Sequence, residues 1–311
     1  MEKNEIVGVV SSGIFCKQGY RRIDKRLMSR CDKAFDLRLD GAVDYIAGKG
    51  DIRVLGLTGP TCSGKTTAAK KLISFLEDSK KRVHTVSLDD FFKESFSRSQ
   101  LDGLDPSKID FDSPDTLDIE ELDRFVGEIF SRGVSRKPVF DFVSGERVRY
   151  DEIVADGDDV FIFEGIQVLY PAVISVIERS GGSIIGVRPQ SGIIVEDRVL
   201  EPNFIRLCRR LVRDYNFRGA SPEFTFAVWD GVRRNEEENI FPHIDKCDIE
   251  IDTTLEYEIN ILAPYLRRVL GGMSENDPHY KKSREILEMF EGIEGAERDW
   301  LSKTSLYREF V

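Results

Sequence analysis

Apolar runs rich in β-branched residues alternate with stretches of helical periodicity through the middle of the chain. The runs predict strands at Arg53–Thr58, Arg82–Leu88, Asp159–Glu164, Ser183–Val187 and Asp248–Ile251. Between them, apolar residues at helical spacing predict helices at Thr66–Glu77, Asp118–Phe130, Pro171–Arg179, Pro202–Asp214 and Leu255–Leu270. Strands separated by helices are joined by right-handed crossovers and form a largely parallel sheet covered on both faces. The pattern therefore predicts an α/β fold.

A hairpin and two flanks lie outside this alternation. Pro138–Phe142 and Arg147–Tyr150, joined by a short polar link, predict a β-hairpin inserted into the α/β pattern. In the flanks, we predict helices at Ile23–Ile46 and at Lys281–Phe290, the latter after a linker-like stretch that begins with two glycines. The expected division is an N-terminal extension (1–50), a central domain (51–270) and a C-terminal helical extension (271–311).

Composition narrows the class of protein. The chain has 311 residues, with 45 Lys and Arg against 56 Asp and Glu, and a net charge of −11 disfavours a general nucleic-acid binder. The acidic start and the short first apolar run disfavour a secretory signal and a membrane span. The cysteines are scattered and do not have the spacing of a zinc site. We expect a cytoplasmic protein with a small-molecule substrate and no nucleic-acid or membrane partner; the oligomeric state, a homo-oligomer included, stays open.

The strongest motif is a phosphate-binding loop. Gly59–Thr66 reads GPTCSGKT, which matches GxxxxGK[ST] and lies between a predicted strand and a predicted helix. In such loops the backbone amides surround a diphosphate, the lysine reaches the β- and γ-phosphates, and the hydroxyl after it binds magnesium. The expected nucleotide-binding residues are Gly59, Pro60, Thr61, Cys62, Ser63, Gly64, Lys65, Thr66 and Thr67.

Carboxylates follow two of the other predicted strands. Asp89 and Asp90 end the strand that reads HTVSL, and Glu164 ends the strand that reads DVFIF. Carboxyl ends of parallel strands meet at one edge of the sheet, so these acids are expected near the phosphate loop. One of the paired aspartates could accept a proton from an attacking hydroxyl, and Glu164 could hold magnesium directly or through water. The alternative for the paired aspartates is an ordinary helix N-cap or turn, and an acid such as Glu164 at a strand end is common.

Arginines cluster on one predicted helix. Arg206, Arg209 or Arg210, and Arg213 share a face by their spacing, and Arg218 follows shortly. Such a cluster could close over a triphosphate and stabilise charge on the transferring group, although a solvated charged face has the same pattern. A GTPase is disfavoured because no NKxD-type guanine-reading motif is found.

Together these motifs resemble the uridine kinase and phosphoribulokinase family of P-loop kinases, and uridine–cytidine kinases most nearly. The resemblance covers about residues 53–265, where the family's segments occur in order: GPTCSGKTT, SLDDFF, FDSPDTLD, PVFDFVSGER, IFEGIQVLY, RLCRRLVRDYNFRG and ENIFPHIDKCDIEID. It implies a parallel five-stranded P-loop kinase sheet with a hairpin and a helical lid. The implied activity is transfer of the γ-phosphate of ATP to the 5′-hydroxyl of a nucleoside, with Mg²⁺.

The resemblance also implies roles for individual residues. Asp89 corresponds to the catalytic aspartate beside the 5′-hydroxyl, Asp112 to the acid that binds the ribose hydroxyls, and Glu164 to the acid near magnesium. Phe92 and Phe140 occupy positions where these kinases usually carry tyrosines against the base. The arginines implied to face the phosphates, alongside Lys65, are Arg206, Arg209, Arg213 and Arg218.

The base-recognition segment departs from the family. Uridine–cytidine kinases commonly have YDFxxH here, whereas this chain has Phe140 in place of the tyrosine and Gly145 in place of the histidine. A pocket that loses hydrogen-bonding groups loses much of its discrimination. Arg147 could supply a replacement contact or be an exposed hairpin residue. Two alternatives therefore stay open: a kinase for another alcohol such as a sugar phosphate, with Lys93 and Arg98 near Asp89, and a non-catalytic ATP-binding regulator.

Overall fold

A computed structural model of the protein describes residues 6–9, 15–50, 53–93, 113–141 and 144–311. Its strands are β1 (Ile6–Val9), β2 (Phe15–Gln18), β3 (Val54–Thr58), β4 (Val83–Ser87), β5 (Val134–Asp141), β6 (Glu146–Val154), β7 (Val160–Glu164), β8 (Ser183–Arg188), β9 (Gly192–Val195), β10 (Arg198–Leu200) and β11 (Ile249–Asp252). Its helices are α1 (Lys25–Gly48), α2 (Lys65–Asp78), α3 (Ile119–Arg132), α4 (Pro171–Arg179), α5 (Pro202–Phe217), α6 (Pro222–Asn235), α7 (Glu258–Gly271) and α8 (Tyr280–Met289).

The central sheet has five strands in the order β11-β8-β3-β7-β4, and all of its pairings are parallel. Every residue of β3 is buried, as expected for a strand covered by helices on both faces. The sheet order reverses at β3, so the loop after β3 and the ends of β4 and β7 meet at one crevice. The predicted α/β fold with a P-loop kinase sheet is confirmed.

Some elements lie beyond what the pattern predicted. The hairpin β5–β6 is antiparallel as expected but longer than the predicted strands. A second, four-stranded sheet in the order β1-β2-β9-β10 was not predicted, because its strands of three or four residues are too short to show alternation. Helix α6 was also missed; its aromatic residues do not fall on one face, since Phe226 is buried and Phe224 is exposed.

Both flanks pack onto the central domain. Met28, Phe35 and Ala42 on α1 belong to the same apolar cluster as the strands and helices of the kinase-like centre. At the other end of the chain, Tyr307 and Phe310 are fully buried in that cluster. The described flanking residues thus share one core with residues 53–270, rather than forming cores of their own. None of the described helices combines the length and apolar character needed to cross a bilayer.

Candidate active site

The phosphate loop runs from the end of β3 to the start of α2. Gly64 has φ +96°, and a Cβ atom there would lie 2.2 Å from Leu306 Cδ1, so both conformation and space require glycine. Lys65 begins α2 and its Nζ donates to the carbonyl of Gly59 at 2.7 Å. Burial lowers the pKa of Lys65, while the carboxylates of Glu164 and Glu309 raise it. The loop and its lysine therefore have the arrangement that an anion site requires.

The loop is held from behind by hydrogen bonds to three successive carbonyls. Arg206 Nε donates to the carbonyl of Thr61 at 3.0 Å, and Arg209 Nη1 donates to that of Cys62 at 3.3 Å. Thr253 Oγ1 donates to the carbonyl of Ser63 at 2.6 Å. A trans peptide unit points its N–H opposite to its C=O. These contacts therefore turn the amides that follow away from the donors, towards the side of the loop that lines the cavity.

A cavity of about 370 Å³ lies in front of the loop. Thr61–Thr66 form one wall, and Asp89 and Glu164 come from the ends of the two adjacent strands, β4 and β7. Arg210, Arg213 and Arg218 come from α5 and the turn after it. The loop, the carboxylate that follows β4 and the arginine cluster thus meet at a single crevice.

The two adjacent aspartates after β4 have different surroundings. Asp89 is exposed to the cavity, and its Oδ1 accepts a hydrogen bond from Gln167 Nε2 at 2.7 Å. Asp90 forms an ion pair with Lys137 on the hairpin and accepts from the amide of Phe140 at 3.3 Å. Asp90 is thus occupied in attaching β5, while Asp89 presents a carboxylate to the cavity. Strand position alone left the two acids equivalent, and the one that lines the cavity is the one that the resemblance indicates.

Glu164 lies where a magnesium ligand would be expected. Burial raises the pKa of Glu164, Lys65 lowers it, and the carboxylates of Asp89 and Glu309 raise it further. Within the described ranges, no three acidic, histidine or cysteine side chains form a complete metal cluster. Mg²⁺ needs fewer, because it is usually held by one or two protein oxygens together with phosphate oxygens and water. Glu164 and the exposed hydroxyl of Thr66 at the cavity fit that pattern.

The arginines of α5 divide into two groups. Asp214, which is almost fully buried, binds Arg210 at 3.1 Å, Arg213 at 2.7 Å and Arg218 at 3.7 Å, and these three line the cavity. Sequence reasoning overlooked Asp214, because an aspartate among arginines on a helix reads as a surface ion pair. The carboxylate holds three cations at the cavity that would otherwise repel one another.

Arg206 and Arg209 are placed differently from the prediction that they face the phosphates. Their side chains are 1% and 0% exposed and do not line the cavity. Arg206 is ion-paired with Glu236, and Arg209 with Glu258 at 2.9 Å. Both act on the loop from behind, through its carbonyl groups. Helical spacing could not separate them from Arg213, because both sides of α5 are covered by other parts of the chain.

The residues expected near the acceptor, Phe92, Phe140 and Arg147, do not line the phosphate cavity. Phe92 and Phe140 are buried, with ring centroids 5.6 Å apart. Arg147 donates to Asp118 at 2.7 Å and to the carbonyl of Phe92 at 3.2 Å, so it fastens the hairpin to the segment after β4 and to the start of α3. Asp112 lies outside the described residues.

A residue that sequence reasoning missed is Glu309. Its Oε1 accepts hydrogen bonds from the amide and, at 2.5 Å, from the hydroxyl of Thr67, and the side chain lines the cavity. The amide of Thr67 lies in the first turn of α2, where helix amides are free to bind an anion. Thr67 and Glu309 are 242 positions apart, and no motif marks the carboxylate.

Comparison with known proteins agrees with this geometry. A family model described as phosphoribulokinase / uridine kinase matches residues 54–260. Uridine-cytidine kinase A of Dictyostelium discoideum is 27% identical over 233 residues, which are 73% of this chain and 42% of that protein. Uridine kinase of Clostridium botulinum (strain Okra / Type B1) is 28% identical over 167 residues, 53% of this chain and 70% of that protein.

Among solved structures, one described as a possible uridine kinase from Bacillus stearothermophilus has a TM-score of 0.46 and 17% identity, covering 70% of this chain and 100% of its own. The family match is the more informative finding, because it extends from the first strand of the central sheet to the start of α7. It includes the phosphate loop, Asp89, Glu164 and the arginines of α5. The chain therefore belongs to the phosphoribulokinase / uridine kinase family.

Proposed function

We propose that the protein is an ATP- and magnesium-dependent kinase that transfers the γ-phosphate to a hydroxyl of a small molecule, with a nucleoside such as uridine as the first candidate. One observation carries the proposal: the phosphate loop, Asp89 and Arg213 line the same cavity. Phosphoryl transfer depends mainly on positioning and on stabilising charge, and this combination supplies both.

Each group has a separate task in this proposal. Lys65 contacts the β- and γ-phosphates from the start of α2, and the loop amides bind the remaining phosphate oxygens. Asp89 orients the acceptor hydroxyl and accepts its proton as the oxygen attacks phosphorus. Arg213, with Arg210 and Arg218 beside it, stabilises the charge on the transferring group. Asp214 keeps these cations at the cavity.

The magnesium site would be formed by Thr66 and Glu164. A Mg²⁺ held there would neutralise phosphate charge. The pKa of Glu164 is raised by burial and by the carboxylates of Asp89 and Glu309, and a nearby cation would favour its ionised form. Thr66 offers an exposed hydroxyl at the start of α2.

The acceptor is proposed at the level of a small alcohol. Phe92 and Phe140 pack against each other with both side chains buried, so no stacking surface for a base is assigned to them. The tyrosine and histidine of uridine–cytidine kinases are replaced, and Arg147 is engaged by Asp118, so base discrimination is expected to be weak. A sugar phosphate remains the second candidate, with Lys93 as a basic neighbour; Arg98, the other basic residue considered for it, lies outside the described residues.

Glu309 gives a prediction about nucleotide affinity. Its carboxylate uses the Thr67 amide and places a negative charge where phosphate would bind. The variant Glu309→Gln should therefore bind MgATP about tenfold more tightly, which corresponds to ~1.4 kcal/mol. Isothermal titration calorimetry measures this, with the exposed Glu297→Gln as the matched control. Unchanged or weaker binding in Glu309→Gln would show that the carboxylate does not oppose the nucleotide.

The function is tested by ADP release from purified protein with a panel of nucleosides, sugars and sugar phosphates. We expect release that depends on one class of alcohol and on Mg²⁺, and that is lost in Lys65→Ala. ATP binding without release for any alcohol would favour a nucleotide-binding regulator. Release that is equal with and without alcohols would indicate hydrolysis, and either result would overturn the kinase proposal.

A further inference from the structure

Gln167 lies beside Asp89 in a short helical turn that follows β7. The turn spans Ile166–Leu169, so the strand that delivers Glu164 to the cavity also delivers Gln167 three positions later. The Gln167 side chain is 3% exposed. A long polar side chain is rarely so buried unless it forms hydrogen bonds.

The contact with Asp89 fixes the orientation of the amide. An ionised carboxylate only accepts hydrogen bonds, so the NH₂ group of Gln167 must face it, and Nε2 lies 2.7 Å from Asp89 Oδ1. The carbonyl oxygen then points the other way. Gly165 makes room for it, because a Cβ atom at that position would lie 2.2 Å from Gln167 Oε1.

This orientation leaves an acceptor without a partner. Gln167 Oε1 is buried and accepts no hydrogen bond from any residue in the described part of the chain. A buried, unpartnered carbonyl destabilises a fold, whereas leucine or methionine would fill the same space without that cost. The side chain is therefore badly suited to a purely structural role. What it does provide is one well-aligned donor to the carboxylate that faces the cavity.

We infer that Gln167 is a positioning residue for Asp89, an inference that rests on the proposed function. By donating to Oδ1, the amide fixes the carboxylate plane and leaves Oδ2 to accept the proton of the acceptor hydroxyl. No bond to Gln167 forms or breaks in the reaction.

The test replaces Gln167 by methionine, which has a similar length and no hydrogen-bonding amide. In Gln167→Met, kcat should fall by a factor of roughly 10 to 100 with the KM for ATP unchanged, because the carboxylate loses its orientation. Thermal stability should stay the same or rise, because the unpartnered oxygen is removed.

A matched control is Gln18→Met. Gln18 is also partly buried, and its amide donates to the carbonyls of Gly19 and Ile194, so its loss should lower stability without changing kcat. If Gln167→Met instead loses stability while its kcat stays normal, Gln167 is structural and the inference is wrong.

A measurement without turnover separates this inference from the kinase proposal. Crystal structures of the unsubstituted protein and of Gln167→Met compare the orientation of the Asp89 carboxylate directly. We expect the carboxylate to lose its single orientation in Gln167→Met even if no acceptor is found. A carboxylate with the same single orientation in both proteins would overturn the inference while leaving the kinase proposal intact. Absence of transfer by the unsubstituted protein, together with a changed carboxylate orientation in Gln167→Met, would overturn the kinase proposal alone.

Discussion

Asp89→Asn should abolish phosphoryl transfer while leaving the nucleotide site intact. Loss of a general base slows such reactions by about 10²- to 10⁴-fold, and asparagine cannot accept the proton of the hydroxyl. The side chain is exposed to the cavity and, within the described residues, accepts a hydrogen bond from Gln167, so the fold should be unaffected. We therefore expect a fall in kcat of about a thousandfold with MgATP affinity within about twofold. Steady-state kinetics and calorimetry measure the two quantities.

The neighbouring acid provides the control. Asp90 has the same chemistry one position away, but it is bound to Lys137 and to the amide of Phe140. The variant Asp90→Asn should loosen the hairpin, seen as a lower melting temperature, and should keep most of the rate at saturating acceptor. Equal loss of rate in both variants would mean that the segment as a whole, and not the Asp89 carboxylate, is what transfer requires.

Substitutions of two arginines one turn apart on α5 should have contrasting effects: one should lower the stability of the fold, and the other should lower the transfer rate. Arg209→Ala leaves Glu258 buried without its counter-charge, and breaking such a pair costs about 3–5 kcal/mol of the free energy of unfolding. Arg213→Ala removes a cation that lines the cavity, while Asp214 keeps Arg210 as a partner. We expect a change in its free energy of unfolding within about 1 kcal/mol. Its transfer rate should fall by about 10²- to 10³-fold.

Denaturant unfolding and kcat, measured on both variants, check this pair of expectations. The informative result is the contrast between the two variants, because a loss of stability or a loss of rate in one variant alone has several explanations. If Arg209→Ala is as stable as the unsubstituted protein and loses only activity, then Arg209 acts in the cavity as the resemblance implied, and the assignment to a buried support is wrong. If Arg213→Ala keeps its full rate, the cations at the cavity are not needed for transfer.

The sheet was predictable because its strands carry local signals. The inner strands β3, β7 and β8 are mainly apolar, the edge strands β4 and β11 mix apolar and polar residues, and the phosphate-loop motif fixes which strand lies in the middle. The hairpin was predictable for the same reason, although its ends were not. The small second sheet was not, since it joins the N-terminal region to residues 192–200 through strands of three or four residues. Such a pairing leaves no periodicity in either segment.

The site was predictable where a residue type is tied to a motif. Lys65, Thr66 and Asp89 were located from strand ends and loop spacing, and they line the cavity. Arg206 and Arg209 are held away from the cavity by ion pairs with Glu236 and Glu258, respectively. These glutamates lie 30 and 49 positions further along the chain. A helical spacing shows which residues share a face, but it does not show what covers that face.

The same limit explains the other residues that sequence reasoning overlooked. Asp214 holds three arginines at the cavity, Gln167 orients one carboxylate, and Glu309 reaches the phosphate loop from the end of the chain. Gln167 and Glu309 act through partners that tertiary packing brings near them, whereas the partners of Asp214 are its neighbours on α5 and it is the burial of its carboxylate that the sequence does not show. Polar residues of this kind carry no motif, so their roles became visible only when distances and burial could be examined together.

The fate of the γ-phosphate of ATP tests the central claim most directly. A single-turnover experiment with γ-labelled ATP, excess protein and the best acceptor from the panel should place the label in a phosphate monoester of that alcohol, with ADP formed at the same rate. Asp89→Asn should bind the labelled nucleotide and leave it unreacted. If the label appears only in inorganic phosphate, or if Asp89→Asn transfers it to the alcohol at the normal rate, then the phosphate loop, the carboxylate and the arginines do not act together on one transferring group.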